Sequence, residues 1–225
     1  RMLQGPWRRR PRALLRAALH GDMRIMLPLI VTLDEVREAR RLLDEAAREL
    51  QERGVEFRER VPLGVMVETP AAALTADALV QDVDFFSIGT NDLVQYTLAV
   101  DRGNANMAAR YTPLHPAVLR LIHRTVVIAE GSGVEVGVCG EMASQPLTAF
   151  ALIGLGIKQL SVAPRSVALL KRMVRGVNVT VAREAAQGAL EAATAAEAEQ
   201  GLRAAFAATF GDAPFLHYGL PVADD

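Results

Sequence analysis

Five short apolar runs punctuate the chain, at residues 24–30, 62–68, 84–88, 135–139 and 159–162. Their apolar residues follow one another without alternation, the pattern of strands covered on both faces. Segments of helical period separate them, which predicts βα units and a parallel sheet. Thr32 and Glu35 read as a capping box that opens a helix with Val36, Ala39, Leu43, Ala46 and Leu50 on its core face. Gly54 is placed to end it. Pro70 opens a second helix that runs through Leu79. Residues 116–129, 146–155 and 166–174 supply three more. After Val179 the runs of strand type stop and the sequence turns alanine-rich, predicting helices over 180–192 and 194–210, the latter with a second capping box in Thr194 and Glu197. The expected division is a strand-bearing domain over 1–178 and a helical extension over 179–225. Five βα units fall short of a closed barrel, which takes eight strands and about 250 residues.

The ends of three runs carry the chemistry. One stops at Glu68, the next at Gly89-Thr90-Asn91-Asp92, and a third at Cys139-Gly140-Glu141. Parallel sheets gather functional groups at the carboxyl ends of their strands. Carboxylates on neighbouring strands, about 4.8 Å apart, can share a hard divalent cation, most naturally Mg²⁺. Each of Glu68 and Asp92 can equally cap the helix that follows it. The backbone N–H groups of Gly89, Thr90 and Asn91, where a strand meets a helix, suit an oxyanion. Cys139 is either a small buried hydrophobe or, beside a metal and a cation, a thiol able to exchange a proton near neutral pH. Arg102 follows a short helix after Asp92 and is placed to reach back to a phosphate. His20, His115, His123 and His217 share no spacing with a carboxylate or the cysteine, and His115 and His123 read as structural.

The chain has 225 residues, 51% of them hydrophobic, enough for a full core. Its formal net charge of -1 provides no field for nucleic acid or anionic lipid. Arginines cluster at Arg1, Arg8, Arg9, Arg10, Arg12 and Arg16, which reads as a solvated helix face. A lone cysteine makes no intramolecular disulfide, and no apolar run approaches the roughly 20 residues of a membrane span. The expected compartment is the cytoplasm, and a start at Arg rather than Met, without the features of a secretory signal, suggests part of a longer polypeptide.

Four motifs in order, Gly64 to Ala72, Phe85 to Leu93, Gln95 to Asn104 and Cys139 to Ala143, resemble the C-terminal, phosphoenolpyruvate-binding (β/α)₈ TIM barrel of enzyme I of the bacterial phosphoenolpyruvate:sugar phosphotransferase system. The resemblance covers nearly the whole chain. Pyruvate phosphate dikinase and phosphoenolpyruvate synthase share the Glu, Asn-Asp and Cys-Gly motifs, and the Ala-Val-Asp-Arg-Gly-Asn ending at Asn104 favours enzyme I. The resemblance implies transfer of the phosphoryl group of phosphoenolpyruvate to a histidine on a separate domain, releasing pyruvate. It implies that Glu68 and Asp92 hold Mg²⁺, that Asn91 and the backbone of Gly89 and Thr90 bind substrate, and that Arg102, with Arg1, clamps its phosphate. Cys139 then protonates the methylene carbon of enolpyruvate. Gln145 stands where the family has an acidic residue, and Ser161-Val162-Ala163 where it has Ser-Met-Ser. By the same resemblance, barrel strands four to eight are present, whereas the first three and the domains that carry the phosphoaccepting histidine and meet the histidine-containing phosphocarrier protein are not. A homodimer is implied as well. The alternatives are a fragment of pyruvate phosphate dikinase or phosphoenolpyruvate synthase, and a non-catalytic dimerisation or regulatory module.

Overall fold

The structure, a computed structural model, describes residues 10–104, 107 and 110–211. Each apolar run contains a strand: β1 (Ile25–Leu27), β2 (Leu63–Val67), β3 (Phe85–Gly89), β4 (Glu135–Cys139) and β5 (Gln159–Ser161). All pair in parallel, in the order β1-β2-β3-β4-β5. That order determines where the helices go. Right-handed crossovers that step the same way each time stack their helices on one face, whereas a doubly wound sheet reverses at a switch point. Ile25, Leu27, Leu63, Val65, Val67, Phe86, Ile88, Val136 and Val138 share the helix-covered face and are buried. The sheet is the arc of an α/β barrel.

Coverage of both faces, expected from the continuous apolar runs, holds for β2 and β3 alone. On the inner face Met26 of β1 is 38% exposed, and Glu135, Gln159 and Ser161 are exposed as well. Among the described residues no crossover helix covers that face, and side chains shield it over the middle strands. At the amino end of the strands they form a plug. Gly64 leaves space for the ring of Phe85, since a Cβ there would stand 2.5 Å from it. The Arg24 guanidinium lies 5.4 Å over that ring and reaches Glu135 across the sheet at 2.5 Å. Its hydrogen bond and charge hold the Glu135 carboxyl below the usual carboxylate range.

The helices follow their local signals, with two departures. In α1 (Arg10–Ala17), Leu15 is buried and Arg10 and Arg16 are exposed, as expected of a solvated face, whereas Arg12 is half-buried and pairs with Glu49. In α2 (Leu33–Glu52) the Glu35 carboxylate accepts the N–H groups of Val31 and Thr32, and Gly54 follows at φ +61°. Its buried stripe includes Leu42, with Leu43 half-buried at the margin. The helix expected from Pro70 to Leu79 is broken into α3 (Pro70–Leu74) and α4 (Ala76–Leu79). At the break Thr75 leaves helical dihedrals, at φ −105° and ψ 20°, while its N–H and its hydroxyl both stay on the Ala71 carbonyl, at 3.0 and 2.9 Å. The short α5 (Thr90–Leu98) follows β3, and α6 (Pro116–Gly131) is capped by His115, whose Nδ1 accepts the Ala117 N–H at 3.1 Å. The four-residue α7 (Glu141–Ser144), which no periodicity announced, precedes α8 (Pro146–Gly154) and α9 (Val167–Gly176).

The last two helices, α10 (Val179–Glu191) and α11 (Ala195–Phe210), add Ala182, Ala186, Ala189, Leu202 and Phe206 to the same buried core. Phe206 meets Phe150 of α8 edge-on at 5.5 Å, and Phe210 lies 4.7 Å from Phe206. Helices α8 and α10 touch backbone to backbone, because a Cβ on Gly154 would stand 2.1 Å from the Ala182 carbonyl oxygen and 2.8 Å from Ala186 Cβ. Gly154→Ala is therefore expected to destabilise the fold by about 3 kcal/mol, the upper range of overpacking. Gly188→Ala, at an exposed site on α10 with nothing within 4 Å, is expected to stabilise it by up to about 1 kcal/mol. Denaturant unfolding of the two variants checks both signs.

Candidate active site

The strand register assembles the site. Val67 pairs with Ile88, so Glu68, one residue past β2, stands level with Gly89. Gly89 pairs with Cys139, and Cys139 with Ser161. Glu68, Gly89, Cys139 and Ser161 therefore form one row on the inner face, at the carboxyl ends of four adjacent strands. Asp92 enters from the first turn of α5.

Glu68 is buried at 4% exposure. Its Oε1 accepts the Leu29 N–H at 2.7 Å, across 39 residues of sequence. That bond requires Leu29 to sit at φ +52°, a left-handed conformation that a leucine rarely adopts. The next residue reinforces the tie, as the Thr69 hydroxyl donates to the Ile30 carbonyl at 2.8 Å while capping α3. Burial pushes the Glu68 carboxyl above the usual carboxylate range; the Leu29 N–H opposes this, and the charge and hydrogen bond of Asp92 add to it. Two carboxyls thus face one another at the end of β2. On the other side of Glu68, a Cβ at Gly89 would stand 2.8 Å from Oε2. A glycine there keeps that oxygen's surroundings open.

Cys139 is half-buried, its Sγ 3.6 Å from both the Ser87 hydroxyl and the Ile88 carbonyl. Its turn is fastened to the one that carries Asp92. The Thr90 hydroxyl donates to the Cys139 carbonyl at 3.0 Å, and the Glu141 N–H donates to Asn91 Oδ1 at 3.0 Å. Thr90 is fully buried and Gly89 is buried as well, so it is the half-buried Asn91 and Asp92 that this turn presents at the rim.

Arg102 lies in an exposed turn, where its N–H bonds Gln95 Oε1 at 3.3 Å and the Asp101 carboxylate accepts the Gly103 N–H at 2.8 Å. Tyr111, which sequence reasoning passed over, joins this turn to the rim. Its hydroxyl donates to the Asn91 carbonyl at 3.3 Å, and its phenol is pushed up by burial and by the charge of Glu141, against the pull of Arg102. An aromatic just ahead of the Thr-Pro-Leu-His cap of α6 was the available signal. Arg1 and His217 lie outside the described residues. Among the described residues no three acidic, histidine or cysteine side chains converge as a ready metal cluster. Gln145 is exposed at the start of α8, and Ser161 is exposed at the rim.

A singly wound parallel sheet, with Glu68 and Cys139 on one inner row at its carboxyl ends and Asp92 facing Glu68 from α5, defines a protein of the α/β-barrel class. Residues 5–179 match the model of the PEP-utilising enzyme, PEP-binding domain, and the chain belongs to that family. It is 43% identical over 189 residues to a phosphoenolpyruvate-protein phosphotransferase of Haemophilus influenzae, with 84% of this chain and 33% of that protein aligned. The protein of the same name from Mycoplasma pneumoniae is 44% identical over 189 residues, covering 84% of this chain and 32% of its own length. The chain thus spans about a third of the length of these curated relatives. A crystal structure of a citrate lyase from Burkholderia xenovorans shares the fold, with a TM-score of 0.57 and 19% identity over 93% of this chain and 62% of that one.

Proposed function

We propose that this chain is the phosphoenolpyruvate-binding part of an enzyme that transfers the phosphoryl group of phosphoenolpyruvate to a histidine on a separate domain and releases pyruvate. The observation that carries this reading is the inner row itself, with Glu68 and Cys139 two strands apart and only glycine between them. Two strand spacings of about 4.8 Å leave a gap of roughly 10 Å, wide enough for a three-carbon phosphate ester.

The donor set fits Mg²⁺. Glu68 keeps Oε2 clear of the Leu29 bond, and Asp92 faces it. With two protein carboxylates the ion would draw its remaining ligands from water and substrate oxygens, as Mg²⁺ commonly does. When bound, it would neutralise charge on the phosphate and the developing enolate.

The chain's own residues do the rest. Asn91, in the turn that Gly89 and Thr90 begin, and Arg102 orient the phosphate and carboxylate of the substrate, and Arg1 serves as a further phosphate clamp. As the C–O–P linkage breaks at phosphorus, the phosphoryl group leaves for the histidine nitrogen and the electron pair stays with the enolate. Cys139 then gives its thiol proton to the methylene carbon, which makes pyruvate and removes the reverse nucleophile. Phosphate passes onward to a histidine-containing phosphocarrier protein through domains beyond this chain, and the catalytic unit is a cytoplasmic homodimer. The curated relatives' names support the reaction. No helix among the described residues is long and apolar enough to cross a membrane.

The test uses labelled phosphoenolpyruvate with Mg²⁺. The full-length polypeptide should form an acid-labile phosphohistidine and release pyruvate, while residues 1–225 alone should acquire no stable label, since none of their four histidines stands in a glycine- and hydroxyl-rich loop, and His115 is spent as a helix cap. Label on the isolated chain, or none on the full polypeptide, would overturn the reading.

A further inference from the structure

The two turns that carry the metal-side and thiol-side chemistry are locked to one another. Consecutive residues of one, Thr90 and Asn91, hold three consecutive residues of the other, Cys139, Gly140 and Glu141. Thr90 gives its hydroxyl to the Cys139 carbonyl, and Asn91 Oδ1 takes the Glu141 N–H, each at 3.0 Å. Gly140 between them sits at φ +107°, and a Cβ there would fall 2.4 Å from Thr90 Oγ1 and 3.0 Å from Asn91 Oδ1. The glycine serves both the backbone conformation and the close approach. Thr90 is 0% exposed, so its hydroxyl meets no ligand from solvent, and the bond to Cys139 is the one it makes.

From this lock we infer that Thr90 is a positioning residue for the Cys139 thiol. Resting on the proposed function, the inference goes one step beyond it: Thr90 sets the direction of proton delivery through the backbone of residue 139, without touching substrate. A thiol on a free strand end would swing with its peptide plane. Here the carbonyl of that residue is anchored to the first residue of α5, the helix that carries Asp92, so donor and metal side keep a fixed distance.

Thr90→Val removes the donor and keeps the shape, while Thr90→Ser keeps the donor. In the full-length polypeptide, alkylation of Cys139 by iodoacetamide, read at that residue by peptide mass spectrometry, should quicken about tenfold in Thr90→Val, as one hydrogen bond implies. Thr90→Ser should restore the native rate. In heavy water the same Thr90→Val protein should form methyl-deuterated pyruvate about tenfold more slowly, with an unchanged KM for phosphoenolpyruvate. Should Thr90→Val not fold, Thr90→Ala is the second variant and should show the same labelling change. Native alkylation rates in folded Thr90→Val or Thr90→Ala overturn the inference. If the wild-type polypeptide turns over no phosphoenolpyruvate, the proposed function fails, and the labelling rates still decide the role of Thr90.

Discussion

Replacing Glu68 or Asp92 by alanine in the full-length polypeptide should reduce Mg²⁺-dependent turnover of phosphoenolpyruvate on the order of 10³-fold or more, the loss expected when a metal's charge is removed from a transition state. The stability of the Glu68 variants should then differ in a way that turnover does not. Glu68→Ala strands the Leu29 N–H, whose only acceptor shown is Glu68 Oε1, and should cost about 1–3 kcal/mol. Glu68→Gln keeps an oxygen for that N–H and removes the buried charge. Because the native carboxyl titrates above its unfolded value, its charge penalises folding at neutral pH, and the penalty vanishes once the group is protonated in both states. Without Mg²⁺, Glu68→Gln should therefore be more stable than wild type at pH 7, and the gain should fade as pH falls through the raised native range and be gone below the ordinary carboxylate range. Thermal melts across pH, beside steady-state kinetics, measure both effects. Near-normal turnover in both alanine variants would remove the assigned cation site.

The second large effect belongs to the thiol. Cys139→Ala should slow pyruvate formation by about two orders of magnitude or more, typical of losing a general acid, while phosphoenolpyruvate affinity by calorimetry stays close to native. The alanine also gives up only weak contacts, both at 3.6 Å, so little stability should be lost. Deuterium from heavy water entering the methyl group of pyruvate at the native rate in this variant would take the proton-donor role away from Cys139.

Much of this architecture was legible because parallel strands leave a strong mark. Val65, Val67, Phe86, Ile88, Val136 and Val138 stand in short apolar runs, and the residues that end them, Glu68, Gly89 and Cys139, fall into one row once the strands pair in order. Other features depend on contacts that no local pattern encodes. Leu29 reaches Glu68 from 39 residues away through a backbone conformation that argues against leucine. Thr75 interrupts what reads as continuous helix by leaving helical dihedrals, at φ −105° and ψ 20°, which no local pattern marks. The lock between Thr90 and Cys139 spans 49 residues, and Tyr111 reaches Asn91 from a stretch with neither strand nor helix period. The inner face misled for a simpler reason: Met26 and Gln159 lie in apolar runs, but the sequential strand order sends the helices to the other side.

The aromatic seam between α8 and α11 bears on the order in which the protein is made. Phe150 emerges from the ribosome about 56 residues ahead of Phe206, and at roughly 5–20 residues per second that interval lasts about 3–11 s. All five strands are complete by Ser161, well before α11 exists. The nascent sheet must therefore wait with the Phe150 face of α8 uncovered, an apolar surface open to chaperones or to a neighbouring chain on the same polysome. A polypeptide that stops short of Phe206 keeps its five strands and lacks the ring that covers Phe150, so translation through α11 is the step that completes this part of the core.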